Sequence, residues 1–429
     1  MLTYEGARLY CDGHSIQDLA EHFSTPFFLF SARDIAANYS SLTDAFSSLP
    51  SGFSIDYCVK TNYEGAILRL LRRMGAGVML SCGFEFSLAQ EAGFQPERIT
   101  VHGPCKTDQE LETAISAGVP LIHVYTVQEL ERIAEFAAHH QIVVNISLRL
   151  TSPGPWWARG LVGWYARRLG IPWQEACDTF RKASSYSWLR PVGFSVHLGT
   201  QITRSRPYLV ATKGLIRLAE KLQRDGLAVS QISLGGGWPS NTLQKSGWRC
   251  VSEKSVAMKT RSRPDLLSFV ARSVAEGFLS QMRRSALTTF PHVRLEPGRS
   301  LIGPAGLLVS RIRAVRNRWF FVDTSRNVLP ESLMVAHRSI LPAAECDAGR
   351  RSLCCISGKT LNTMDVLAVA VKLPPLQPGD VVVFLDAGAY SLSRACRYAG
   401  DIPDAYLLEV TGEIVQIRKE HEFTDMQSL

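Results

Sequence analysis

The 429-residue chain is predicted to be an α/β protein: a (β/α)8 TIM-like barrel followed by a C-terminal all-β domain. Three observations predict this. Eight strand-like segments alternate with helical patterns between residues 53 and 296. The texture changes after Pro304 to short strand-like runs separated by turns. The length exceeds what one ordinary core fills, so two domains are expected.

The elements follow in order. Residues 1–24 are short and mixed, with a strand expected at Ala7-Arg8-Leu9-Tyr10, and Pro26 to Phe30 reads as another. Ser31 with Asp34 resembles a capping box and opens a helix through Ala36 to Phe46. The barrel strands are expected at 53–59, 77–81, 98–102, 120–124, 142–149, 192–197, 230–234 and 292–296. Helical patterns lie between them, including Asp108 to Ala117, Val127 to Ala138 and Pro207 to Leu222. A doubly wound sheet also fits alternation, but eight units favour the barrel. Two connections are long, Thr151 to Arg168 and Ser240 to Arg263, and the second is expected to be mobile. Beyond Pro304, strands are expected at Gly306 to Ile312, Trp319 to Val322, Leu353 to Ile356, Val381 to Leu385 and Ala405 to Glu409, with the N-terminal segment pairing among them.

Composition excludes several classes. Charged residues make up 20% and the net charge is +8, with scattered arginines, so nucleic-acid binding is not expected. No apolar run reaches the length of about 18 residues that a membrane helix needs. The start of the chain has neither a basic head nor an apolar core, and the ten cysteines follow no CxxC spacing. A cytoplasmic protein with reduced thiols and no metal site is the expectation.

Active sites of such barrels lie at the C-terminal ends of the strands. Read in order, those ends present Lys60, Ser81, His197, Gly235-Gly236-Gly237 and Glu296-Pro297-Gly298-Arg299. A lysine leaving a buried strand is either a surface lysine or one with a lowered pKa that forms a Schiff base. A triple glycine after the seventh strand brings bare N–H groups against a phosphate, and Arg299 adds a bidentate contact. Each signal alone has an ordinary structural reading, such as a tight turn or a core histidine. Together they describe a cofactor bearing a carbonyl and a phosphate, hence pyridoxal 5′-phosphate (PLP). Glu296 would then meet the pyridine nitrogen, keep it protonated and favour decarboxylation over weakly activated racemisation.

Here the chain resembles the fold type III PLP enzymes of the ornithine/diaminopimelate decarboxylase family, whose barrel is alanine racemase-like. The matching stretches are Tyr57-Cys58-Val59-Lys60-Thr61-Asn62, Gly103-Pro104-Cys105-Lys106-Thr107-Asp108, His197-Leu198-Gly199-Thr200-Gln201, Leu234-Gly235-Gly236-Gly237, Glu296-Pro297-Gly298-Arg299 and Asp386-Ala387-Gly388-Ala389-Tyr390. The resemblance implies Lys60 as the Schiff-base lysine and His197 as a ring-stacking residue. It implies Ser81, Thr200, Gly235, Gly236, Gly237, Gly298, Arg299 and Tyr390 around the cofactor, with Glu296 at its ring nitrogen. It also implies a PLP-binding barrel over 25–302, a β-rich domain from 1–24 and 303–429, and a homodimer whose second domain lends Tyr390 and the 358–365 loop to the active site.

The departures lie on the substrate side. The family cysteine that protonates the product carbanion is Leu361, and its acidic neighbour is Asn362, with Asp365 kept. The family's Arg-Pro-x-Leu-Tyr stretch appears as Pro330-Glu331-Ser332-Leu333-Met334, and an aspartate usual near Ser81 is Met79. Ornithine, lysine and diaminopimelate are therefore not the expected substrates. The expectation is PLP-dependent α-decarboxylation of an unusual amino acid or amino-acid conjugate, by analogy in siderophore or other secondary-metabolite biosynthesis. Other PLP chemistry and a catalytically altered dimerising paralogue are the alternatives; Glu296 weighs against a racemase, and the intact cofactor residues against loss of catalysis. Cys58, two residues before Lys60, would share its face of a strand and is a candidate replacement proton donor.

Overall fold

The computed structural model describes residues 2–151, 168–241, 244–245, 265–330, 336–337, 339–344 and 351–419. Most of both long connections and the stretch from Glu331 to Met334 lie outside the described residues. The chain forms two compact units: residues 40–239 with 266–298, and residues 1–39 with 240–265 and 299–429.

The first unit is a closed eight-stranded parallel barrel. Its strands are β1 (Phe53–Cys58), β2 (Gly77–Leu80), β3 (Ile99–Val101), β4 (Leu121–Val124), β5 (Val144–Arg149), β6 (Leu189–Ser195), β7 (Gln231–Ser233) and β8 (His292–Leu295). All eight coincide with expected segments to within three residues at each end. They are short, β-branched and apolar runs, buried on both faces as parallel strands must be. The seam between β8 and β1 pairs Arg294 with Ser54, and Arg294 donates to the buried Asp56 carboxylate at 2.6 Å. Gly77 accommodates that carboxylate, because a Cβ there would stand 2.4 Å from Asp56 Oδ1.

The intervening helices begin where the sequence offers caps. Thr107 and Glu110 form a reciprocal capping box at the start of Asp108–Ser116, and Thr126 caps Val127–His140. Their apolar stripes, such as Leu130, Ile133, Ala134 and Ala137, are buried. Ser31 accepts from the Asp34 N–H and opens Ala32–Phe46.

The second unit is mostly sheet. Phe27–Ser31, expected within the barrel domain, instead pairs antiparallel with Gly306–Arg316 and parallel with Asp404–Leu408, while Leu2–Glu5, Arg8–Cys11 and His14–Ser15 form a separate three-stranded sheet. Phe27, Leu29, Leu307, Val309, Val383 and Leu408 form its core. The strands at Ile340–Pro342, Val366–Leu373 and Ile414–Arg418 were not anticipated. Among the described residues, no helix is long and apolar enough to cross a membrane.

Candidate active site

The barrel unit gathers polar side chains at the C-terminal ends of its strands. Strand β1 ends at Cys58, and Lys60 lies in a following 3-10 turn, Val59–Thr61, with its side chain exposed. The two-residue spacing of Cys58 and Lys60 therefore does not put them on one strand face, because the strand has already ended. Cys58 is buried, and burial pushes its thiol up to about 11. Ser81, just past β2, gives its N–H and hydroxyl to Glu85 Oε2 at 2.6 and 3.0 Å.

His197 follows β6. It is open to solvent but set deep among protein atoms; this desolvation, then the positive charge of Arg149, pushes its imidazole down to about 4. Lys60 adds to that effect, so these three residues act on one another electrostatically. Thr200, beyond His197, is exposed.

Gly235, Gly236 and Gly237 follow β7. Gly235 and Gly237 have φ of +67° and +87°, and a Cβ on either would fall within 2.4 Å of a carbonyl oxygen, Val196 O or Gly199 O. Their carbonyls are engaged: Gly235 O accepts from Glu296 N and Trp238 Nε1, Gly236 O from Tyr208 Oη, and Gly237 O from Ile202 N. The N–H groups of Gly236 and Gly237 donate to nothing among the described residues. Two free amides beside a space closed to any Cβ suit an anion.

Glu296 follows β8 and is buried. Its Oε1 accepts from Ser233 Oγ at 2.5 Å and lies 3.4 Å from His102 Nε2, while Oε2 accepts nothing among the described residues. Burial alone would raise this carboxyl; the contact with His102 and the positive charge of Arg149 work against burial and hold it below the usual carboxylate range. Burial also dominates at His102 and His123 and lowers both imidazoles, His123 further. The consistent reading is one carboxylate beside two neutral imidazoles.

In the sheet-rich unit, Arg299 is buried with its guanidinium 4.9 Å from the Tyr390 ring centroid. Asp365 is buried as well: it accepts from Arg326 N, Thr360 N and Thr360 Oγ1. Leu361 and Asn362 beside it are exposed. Next to this loop lies a cavity of about 270 Å³ bordered by Arg326, Asn362, Thr360 and Arg394.

The sequence reading missed His102, His123, Tyr125, Arg149, Ser195 and Ser233, which surround Glu296. Applying the strand-end rule to all eight strands, rather than to the five carrying motifs, would have found His102, Tyr125 and Arg149.

The profile of the family described as "Pyridoxal-dependent decarboxylase, pyridoxal binding domain" matches residues 33–303. The chain belongs to this family. It is thus an enzyme, a PLP-dependent carboxy-lyase acting on an amino acid, with PLP as its cofactor. It is 27% identical to a diaminopimelate decarboxylase of Aquifex aeolicus over 432 residues, covering 98% of this chain and 95% of that one. A diaminopimelate decarboxylase of Pseudomonas aeruginosa is 27% identical over 406 residues, covering 92% and 90%. The crystal structure of the Methanocaldococcus jannaschii diaminopimelate decarboxylase superposes with a TM-score of 0.88 at 23% identity, over 100% of this chain and 96% of that one. That likeness carries the fold. The free amides of Gly236 and Gly237 and the unengaged Oε2 of Glu296 fit a group with a phosphate and a ring nitrogen.

Proposed function

We propose that this enzyme removes the α-carboxyl group of an amino acid or conjugate whose distal end is anionic rather than cationic. The observation that carries the reading is Asp365. It is the one acid of the 358–365 loop, and its two oxygens are taken by Arg326 and Thr360. No carboxylate in that loop is left to hold an ammonium, and the adjoining cavity is bordered by two arginines, Arg326 and Arg394. Leu361 and Asn362 remove the usual thiol and acid. A conjugate of this kind suits a tailoring step in secondary metabolism, siderophore assembly included.

When bound, PLP supplies the electron sink for the pair left by the departing carboxyl group. Lys60 is proposed to hold the cofactor covalently, and His197 to lie against its ring. The amides of Gly236 and Gly237, the tight approach at Gly235 and Gly298, and the Arg299–Tyr390 pair would bind the phosphate, with Ser81 and Thr200 at the margin. Glu296, kept ionised, would accept a hydrogen bond at Oε2 from the protonated ring nitrogen. Lys60 Nζ is the leading donor of the proton to the product carbon, since Cys58 does not share its strand face. The enzyme is further proposed to work as a homodimer: Leu361 and Met364 are exposed apolar side chains on the loop that the partner would cover.

Carbon dioxide release from L-2-aminoadipate, glutamate conjugates, meso-diaminopimelate, L-lysine and L-ornithine tests the substrate class. Anionic members should be preferred by about tenfold or more in kcat/KM, the size of one charge-assisted contact. A preference for lysine or meso-diaminopimelate would overturn it.

A further inference from the structure

The barrel holds a buried cluster that none of the assigned roles uses. His102, just after β3, stacks on His123 of β4, with ring centroids 3.6 Å apart and planes 20° apart. His102 Nδ1 lies 3.0 Å from Tyr125 Oη, and its Nε2 faces Glu296 Oε1 at 3.4 Å. His123 Nδ1 lies 2.9 Å from Ser195 Oγ, and its Nε2 has no partner.

One reading is a metal site, since His102, His123 and Glu296 offer ligand atoms within 4.8 Å of one another. The stacking argues against it. An imidazole lone pair lies in the ring plane, and an ion shared by two nearly parallel stacked rings must sit well out of one plane or both. The hydrogen-bonding pattern fits a relay instead. With the Tyr125 hydroxyl as the donor to His102 Nδ1, the ring proton falls on Nε2, the nitrogen beside Glu296, although that contact does not have hydrogen-bond geometry here. At 3.4 Å this contact is long, and such contacts tighten when a site fills.

We infer that His102 is a positioning residue for Glu296: it holds the carboxylate turned so that Oε2 remains free for the cofactor's ring nitrogen. His123 supports the His102 ring from one face, and Ser233 supplies the second donor to Oε1. Burial of both imidazoles keeps them neutral, so the cluster carries the carboxylate's single charge without adding a cation beside the ring nitrogen. The inference rests on the reading that Glu296 meets that nitrogen.

A double-mutant cycle on the apo-protein tests it, with PLP affinity read by visible absorption and folding by circular dichroism. His102→Phe keeps the stack and removes the donor. In the native background it should weaken PLP binding about tenfold, the loss of one charged contact. In the Glu296→Gln background the same change should have little effect, because its target is gone. Equal losses in both backgrounds would mean that His102 only packs, and no loss in the native background would also overturn the inference. If Glu296→Gln itself leaves PLP affinity and spectrum unchanged, the Glu296 reading fails, and this one with it. Should His102→Phe not fold, Tyr125→Phe carries the same cycle with a loss of about threefold.

Discussion

His123 is a buried imidazole whose environment should be visible in the pH dependence of stability. Burial holds its pKa well below the ordinary value, which is about 6.5. Below that ordinary value the unfolded chain binds a proton that the folded protein refuses. Stability is therefore full above about pH 6.5 and lost as the pH falls toward the folded value, with a slope of up to about 1.4 kcal/mol per pH unit. His123→Gln removes the titrating group. The stability lost by the apo-protein between pH 7 and pH 5 should then shrink, by at most about 2 kcal/mol, measured by urea unfolding at both values. Glu296 does not interfere in that window. Its lowered carboxyl contributes stability that is present above the unfolded value of about 4.3 and is lost only at lower pH.

At the scale of elements, Lys106 ties two barrel loops together. Its buried Nζ donates to Gly103 O, His123 O and Glu129 Oε1, each at 2.7 Å, and so joins the turn after β3 to strand β4 and the helix that follows. This stretch also carries His102 and Tyr125, so Lys106 holds the backbone on which the relay stands. Removing one partner of a buried pair strands the other charge, at a cost of about 3–5 kcal/mol. Lys106→Met should destabilise the apo-protein by that amount in urea unfolding. The double variant Lys106→Met with Glu129→Leu should regain most of it. Equal stability of the single and double variants would show that Glu129 is not left stranded.

At the scale of the whole molecule, the proposed shared active site makes a prediction that neither unit makes alone. Lys60→Ala should be inactive, and so should a variant of the 358–365 loop such as Asp365→Ala. Mixed and reassociated at equal amounts, half of the dimers pair one chain of each kind, and each of those rebuilds one native site. Activity should return to about a quarter of the native value. No recovery, or a monomer by sedimentation, would count against shared sites.

The alternation of strands and helices was legible because its signals are local: β-branched runs, caps and turns recur at spacings that a reader of the chain can follow. Gly235-Gly236-Gly237 and the lysine, histidine and glutamate at strand ends were legible for the same reason, since the barrel rule converts a position along the chain into a position in space. The strand at Val366–Leu373 was not, because six of its eight side chains are buried or half-buried without strict alternation. The relay behind Glu296 was hidden more deeply. His102, His123 and Tyr125 read singly as core residues, and only closure of the barrel sets β3 and β4 across from β8. Asp365 is the converse case. Its presence was plain in the chain, but the engagement of its carboxylate by Arg326 and Thr360 depends on how the loop folds back on itself. Sequence by itself determined which elements form and which residues stand at their ends, because those depend on neighbours in the chain. Tertiary structure decided which of those residues meet and which polar atoms remain free, because that depends on partners far away in the chain.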